Sequence, residues 1–579
     1  MRRLLLSLLV APVALAGQQP DDPAVPDLVA LMARPSSELA PIVERWSSDR
    51  AALGRRYAVP YSRERLDRFA TFHATWRTRL AAVPFAALSR QGQVDAVLLR
   101  TRLDHELGLL GREERLAGEM APLLPFSDTL HAMLEQRRQL VRPEPEEAAR
   151  RLAWMADAID SARARLGRDG AAPPTRIVAL RATETITELV RHYDAWRRFY
   201  VGYDPEITWR IAEPAKRFGE GLEVWRKHLR ERIVGVREGG DEPIVGDPIG
   251  RDGLLADLAR EMVPYTPEEL LAITEREFAL LEAEARRAAR DMGLGDDWKA
   301  ALERTKQDHP PVGGQVLAVR EMAHEATAFV ESRGLVTVPA LIKEIWRMEM
   351  MSAEAQKTNP FFLGGEVIMV ASPTDGQTEA EKQMALRANN RHFSRATVHH
   401  ELIPGHGLQG FVGARSNTHR GAFATPFYSE GWALWWEIHL WELGFPETPE
   451  NRMGMLFWRM HRAARILFSL NFHLGNWTPE ECIDFLVERV GHERASATGE
   501  VRRSFNGNYS PLYQAGYLLG GMQLRALHRE LVGSGRMDER SFHDAVLATG
   551  PMPIEMVRAL LMPEVPLTLD HHARWRFAE

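Results

Sequence analysis

The sequence predicts a mainly α-helical protein with one small β-ribbon, and three features predict it. Leu152, Met155, Ile159, Ala162 and Leu166 recur at three- and four-residue steps, drawing an apolar stripe down one face of a helix. Thr266-Pro267-Glu268-Glu269 and Thr478-Pro479-Glu480-Glu481 each read as a helix start. In both, the threonine caps, the proline suits the first helical position and the second glutamate can close a capping box. The residues up to about 235 are rich in Arg, Glu, Leu and Ala and have few long loops, the composition of packed antiparallel helices.

In chain order, Arg2-Arg3 precedes an apolar run from Leu4 to Ala16 that ends Ala14-Leu15-Ala16. This reads as a secretory signal peptide over residues 1–16, cleaved before Gly17. It is too short for a permanent membrane anchor, and no later apolar run would give a stable span once it is removed. The protein is therefore expected to be exported, to the periplasm or outside the cell. No Cys follows the cleavage point, so a lipid-modified anchor is not expected; the single cysteine, Cys482, has an apolar helical setting that suits a buried, inert thiol. The full chain carries a net charge of -6, and losing Arg2 and Arg3 makes the mature chain more acidic. That balance argues against a nucleic-acid partner.

An N-terminal helical half is expected over residues 17–240 and a C-terminal half over 241–579, together one continuous body. The Gly- and Pro-rich segment 235–253 is the candidate boundary, and His309-Pro310-Pro311-Val312-Gly313-Gly314 is another break. Glu366 to Ala371 is the clearest strand. It lies upstream of the segment richest in chemistry, where an exposed edge could take a substrate backbone, or the ribbon could simply pack. Residues 379–403 are expected to form one long helix ending near Pro404.

His400 and Glu401 fall in the last turn of that helix. Histidine supplies a neutral nitrogen to zinc, and an adjacent glutamate can take the proton of an activated water. In the familiar His-Glu-x-x-His pattern a second histidine follows one turn later, but here Pro404 occupies that place and the next histidine is His406. Six residues at about 100° each carry His406 far round a regular helix, so the two can share a metal only if the helix is broken between them. Pro404-Gly405 is a sequence that breaks it. Glu430, which opens the aromatic run Glu430-Gly431-Trp432-Ala433-Leu434-Trp435-Trp436-Glu437, is the expected third ligand, with a first-turn carboxylate favoured by the helix dipole as the alternative. Tyr517 is a candidate hydrogen-bond donor to an oxyanion, against a place in the core, and His473 a candidate contact to substrate, against a structural histidine. Arg503 could bind a substrate carboxylate. His399 is expected to support or pack rather than ligate.

His-Glu-Leu-Ile-Pro-Gly-His-Gly-Leu-Gln at 400–409 resembles the His-Glu-x-x-Pro-Gly-His signature of the bacterial "domain of unknown function 885" family. Ser429-Glu430-Gly431-Trp432-Ala433, the stretch Leu470 to Thr478 around His473, and Pro511 to Gly520 resemble that family's later motifs. Two positions depart from its pattern: Gly407 stands where a further histidine is usual, and Ser469 near the place of an aspartate. The resemblance implies a fold akin to thimet oligopeptidase and carboxypeptidase Taq, and a zinc metallopeptidase activity. On this reading Zn2+ is held by His400, His406 and Glu430, Glu401 is the general base, and the substrate is a short peptide or other small amide. A non-catalytic ligand-binding protein with a structural metal, and a hydrolase of non-peptide amides, stay open as alternatives.

Overall fold

The computed structural model describes residues 24–578, apart from 34–35, 167–172, 237–242, 357–358, 360 and 507–508. The expected signal peptide and part of the expected 235–253 boundary lie outside these residues. The chain is 71% helix and 2% strand, which makes it mainly α as the periodicity predicts. Among the described residues no helix is long and apolar enough to cross a membrane.

The striped segment forms the helix Pro145–Leu166, and Leu152, Met155, Ile159 and Ala162 are its buried face. They pack with Ile186, Trp196, Phe218 and Trp225 of the next two helices into a core confined to residues 59–229. A larger core joins Trp46, Val94, Val97 and Leu99 from the start of the chain to residues as distant as Met562 and Phe577. Residues on both sides of 240 therefore share one core. A buried ion cluster fastens the same junction: Arg420 Nε lies 2.7 Å from Asp95 Oδ1, and His419 Nε2 lies 2.7 Å from Asp95 Oδ2. Both members of the Arg420–Asp95 pair are fully buried, and Arg420 also donates to Thr549 O, so the charges are hydrogen-bonded as burial demands.

Both expected capping boxes form, at Thr266 and at Thr478. Cys482 is buried, and burial pushes its thiol up. The expected strand appears as β2 (Val367–Val370). Its partner β1 (Arg347–Met350) was not anticipated, and the two pair in parallel with Arg347 opposite Val367 and Met350 opposite Val370. The ribbon's buried face, Ile368 and Val370, packs on Val398 and Leu402 of the segment that carries the histidines.

The single helix expected over 379–403 is two helices, Glu379–Ala388 and Arg391–Glu401. Asn390 separates them: its side chain accepts from the backbone N–H of His392 and Phe393 and caps the second. Behind this second helix runs Pro449–His473, buried along almost its entire length. The tryptophan helix, Pro426–Glu442, crosses the helix Tyr513–His528 with the two backbones nearly touching. A Cβ on Gly431 would stand 2.8 Å from Gly520 Cα, and one on Gly520 would stand 2.9 Å from Gly431 Cα. Side chains at either position would push apart the two helices that carry Glu430 and the tyrosines.

Candidate metal centre

The helix bearing His400 ends at Glu401. Leu402 leaves helical geometry at φ -112° and ψ -99°, and a new helix begins at His406. Gly405 N donates to His399 O at 3.0 Å, and Trp432 Nε1 donates to Pro404 O at 2.9 Å, so the bend is held from both sides. The break predicted at Pro404-Gly405 is present, and it folds His406 back beside His400. Their ring centroids are 4.9 Å apart at an interplanar angle of 88°.

Glu430 closes the cluster. One ligand atom from each of His400, His406 and Glu430 lies within 4.8 Å of the others. Glu430 Oε2 is 3.1 Å from His406 Nε2 and 3.7 Å from His400 Nε2. Glu430 does not open its helix, which starts at Pro426 under a Thr425 cap, so the reading of it as a first-turn carboxylate falls away. Burial alone would raise the Glu430 carboxyl. The charge of His406 and the hydrogen bonds of both histidines outweigh burial and hold it well below the usual carboxylate range.

Two further residues, not singled out from the sequence, hold the cluster. Glu437 Oε1 lies 2.7 Å from His400 Nδ1, and Arg462 Nη2 donates to the same oxygen at 3.2 Å. Nδ1 is thereby occupied and Nε2 is left facing Glu430, the usual way a carboxylate orients a ligating histidine. Glu437 is seven residues after Glu430, two helical turns on the same face, and that spacing was a signal that could have found it. The second is Tyr513, whose hydroxyl donates to Glu430 Oε1. It stands one turn before Tyr517 on the same helix face.

Glu401 stands beside the cluster without joining it. Burial raises its carboxyl; the charges of His400 and His406 oppose the rise and that of Glu430 adds to it. Gly365 N donates to Glu401 O at 3.1 Å, and a Cβ on Gly364 would overlap the Glu401 carboxylate, so the segment leading into β2 lies directly on this residue.

The remaining expected residues separate. The ring of Tyr517 stacks 6.2 Å from that of His400 at 12°, beneath the guanidinium groups of Arg462 and Arg465, and burial keeps its hydroxyl protonated. His399 is buried against Phe445, and burial pulls its imidazole down to about 3. His473 is not brought to the cluster. It sits eight residues beyond Arg465 on the same helix, about 12 Å along its axis, with Phe472 and Phe505 as ring neighbours. Arg503 Nε lies 2.9 Å from Glu500 Oε2, so its charge is already paired.

Two imidazole nitrogens and a carboxylate oxygen, one histidine oriented by Glu437, are a donor set that fits zinc. Without a cation, burial would lower the His406 imidazole, but the charge and hydrogen bond of Glu430 raise it to about 9. A cation must then displace a proton from His406 at neutral pH. Zinc affinity of the metal-free protein is expected to rise about tenfold per pH unit from roughly pH 7 to 9 and then level off. Calorimetric titrations in buffers of different ionisation enthalpy check this; an affinity flat across that range would remove His406 from the ligand set.

The profile of one family, described as "Bacterial protein of unknown function (DUF885)", matches residues 50–561. No curated protein matches the sequence. Among solved structures, a candidate lipoprotein of unknown function from Shewanella oneidensis aligns with a TM-score of 0.66 at 17% identity, over 91% of this chain and 100% of that one. A candidate lipoprotein from Colwellia psychrerythraea aligns with a TM-score of 0.55 at 16% identity, over 90% and 97% of the two chains. Identities this low speak for the fold alone. The family match spans the helices that carry His400, His406 and Glu430, and on that extent the chain belongs to the DUF885 family of bacterial proteins.

Proposed function

We propose that this protein is an exported zinc-dependent hydrolase that cleaves peptide bonds in short peptides. The observation that carries the reading is the convergence of His400, His406 and Glu430 beside a fourth residue, Glu401, that is close to them and not paired with them. A purely structural site has no use for such a carboxylate.

When bound, zinc supplies Lewis acidity that polarises a carbonyl and acidifies water. Glu401 takes the proton of the attacking water and passes it to the leaving amine. Tyr517, held protonated by burial, is the donor to the oxyanion. Tyr513 and Glu437 orient Glu430 and His400. The β1–β2 ribbon, laid against Glu401 through Gly364 and Gly365, offers backbone groups that could align an extended substrate. The expected signal peptide, and the lipoprotein names given to the two structural relatives, support a place in the cell envelope.

The test is zinc-dependent hydrolysis of a defined mixture of short peptides, followed by mass spectrometry. Cleavage should vanish on chelation and return with added zinc. Zinc-loaded protein that leaves every peptide intact would overturn the reading, and cleavage confined to non-peptide amides would redirect it.

A further inference from the structure

A second group of metal-ligating side chains lies away from the first. His439 is on the tryptophan helix nine residues after Glu430, about 13 Å further along the axis. It is 3% exposed, its Nδ1 has no hydrogen-bond partner, and its Nε2 faces only a carboxylate. A neutral imidazole carries one N–H and one lone pair, and leaving one of them buried and unpaired is costly. Its Nε2 stands 3.3 Å from Glu539 Oε2. His528, the last residue of the helix Tyr513–His528, places its Nε2 3.0 Å from each oxygen of the same carboxylate. Tetrahedral ligand atoms about 2.1 Å from an ion lie roughly 3.4 Å apart, and both histidine-to-carboxylate separations are close to that spacing.

His439, Glu539 and His543 are the three residues whose ligand atoms all lie within 4.8 Å of one another, with His528 bonded to the same carboxylate, but both nitrogens of His543 are taken. Its Nδ1 lies 2.8 Å from Leu335 O, and its Nε2 accepts from Trp435 Nε1 at 2.9 Å. It walls the site without a lone pair to give. Among the described residues the ionic partners of Glu539 are histidines, with no Lys or Arg among them. A buried imidazole with one unpartnered nitrogen, a second imidazole and a carboxylate with no fixed cation together suit a divalent ion. The Glu539 side chain is one-third exposed, which leaves a path for entry.

We propose that His439, His528 and Glu539 form a second divalent-cation site, whose two imidazoles and one carboxylate are donors that suit zinc. The site ties together the far ends of the two helices that bring Glu430 and Tyr513 to the first centre, and the helix Glu539–Ala548. Its role is to brace that crossing, and it does not depend on the peptidase reading.

The experiment is zinc stoichiometry on the full chain by dialysis and elemental analysis, with cobalt absorption spectra as a second readout. Glu430→Gln disables the first centre and should leave one zinc per chain and a cobalt ligand-field spectrum. Glu430→Gln combined with Glu539→Gln should bind none and lose the spectrum. Zinc should raise the melting temperature of the single variant and leave that of the double variant unchanged. Glu539 is partly exposed, so its replacement keeps the fold testable, and His439→Gln on the same background gives an independent arm. Equal zinc content with and without Glu539→Gln, or a Glu430→Gln protein that binds no zinc, overturns the second site. A Glu430→Gln protein that still binds two zinc ions, one of them lost with Glu539→Gln, overturns the first centre instead and upholds the second.

Discussion

Glu401→Gln is expected to leave zinc bound and to lower peptide turnover by roughly 10²–10⁴. Glutamine keeps the size and hydrogen-bonding reach of the side chain and removes only its ability to take a proton. The position predicts this separation of effects. Glu401 lies within electrostatic reach of His400, His406 and Glu430 but contributes no atom to their convergence. Glu430→Gln should behave differently. Glu430 carries the negative charge that both histidines face, so its loss is expected to remove metal and activity together. The measurement is zinc content alongside kcat for each variant. A Glu401→Gln protein that hydrolyses peptides like the parent would refute the mechanism, whatever metal it carries.

What could be read in the sequence follows from how local each interaction is. The threonine caps were legible because the bonds that make them span three residues. The broken helix between His400 and His406 was legible because proline acts on its own backbone. The break at Asn390 used an equally local signal, an asparagine whose side chain caps two N–H groups, and was missed inside a pattern that continued on both sides. β1 had no local signal at all. Arg-Met-Glu-Met favours helix, three of its four residues are exposed, and its strand state comes from pairing with β2, some 20 residues on. The same distinction holds at the site. His400 and His406 share one short segment, whereas Tyr513 reaches Glu430 only because Gly431 and Gly520 let two helices cross closely. His473 shares a helix with Arg462 and Arg465, and sequence alone could not say that the cluster meets that helix two to three turns earlier.

The centre should be most sensitive to a residue that touches no metal. Gly405→Ala is expected to abolish zinc binding and peptide hydrolysis, and to destabilise the metal-free protein by about 3 kcal/mol, the upper end of the usual cost of overpacking. The reason is space. Gly405 has a negative φ of -76°, so a left-handed φ is not what the position requires. A Cβ at this position would overlap His400 O and stand 2.5 Å from the His400 carbonyl carbon and 2.6 Å from His399 O. These are backbone atoms of the ligand helix and cannot swing aside as a side-chain tip would. Relief has to come from moving the bend, and the next residue in it is His406. A shift of about 1 Å would open the 3.1 Å approach of His406 Nε2 to Glu430, a displacement large enough to disable a centre of this kind. Gly410→Ala is the control. It lies one turn further on, in the helix His406–Gly413, where an added Cβ meets nothing within 4 Å. There alanine should stabilise by roughly 0.5–1 kcal/mol through helix propensity and leave zinc in place. Denaturant melts of the metal-free proteins and zinc analysis of the loaded ones decide it. If Gly405→Ala binds zinc like Gly410→Ala, the close packing of the bend on His400 is not what brings His406 to the metal.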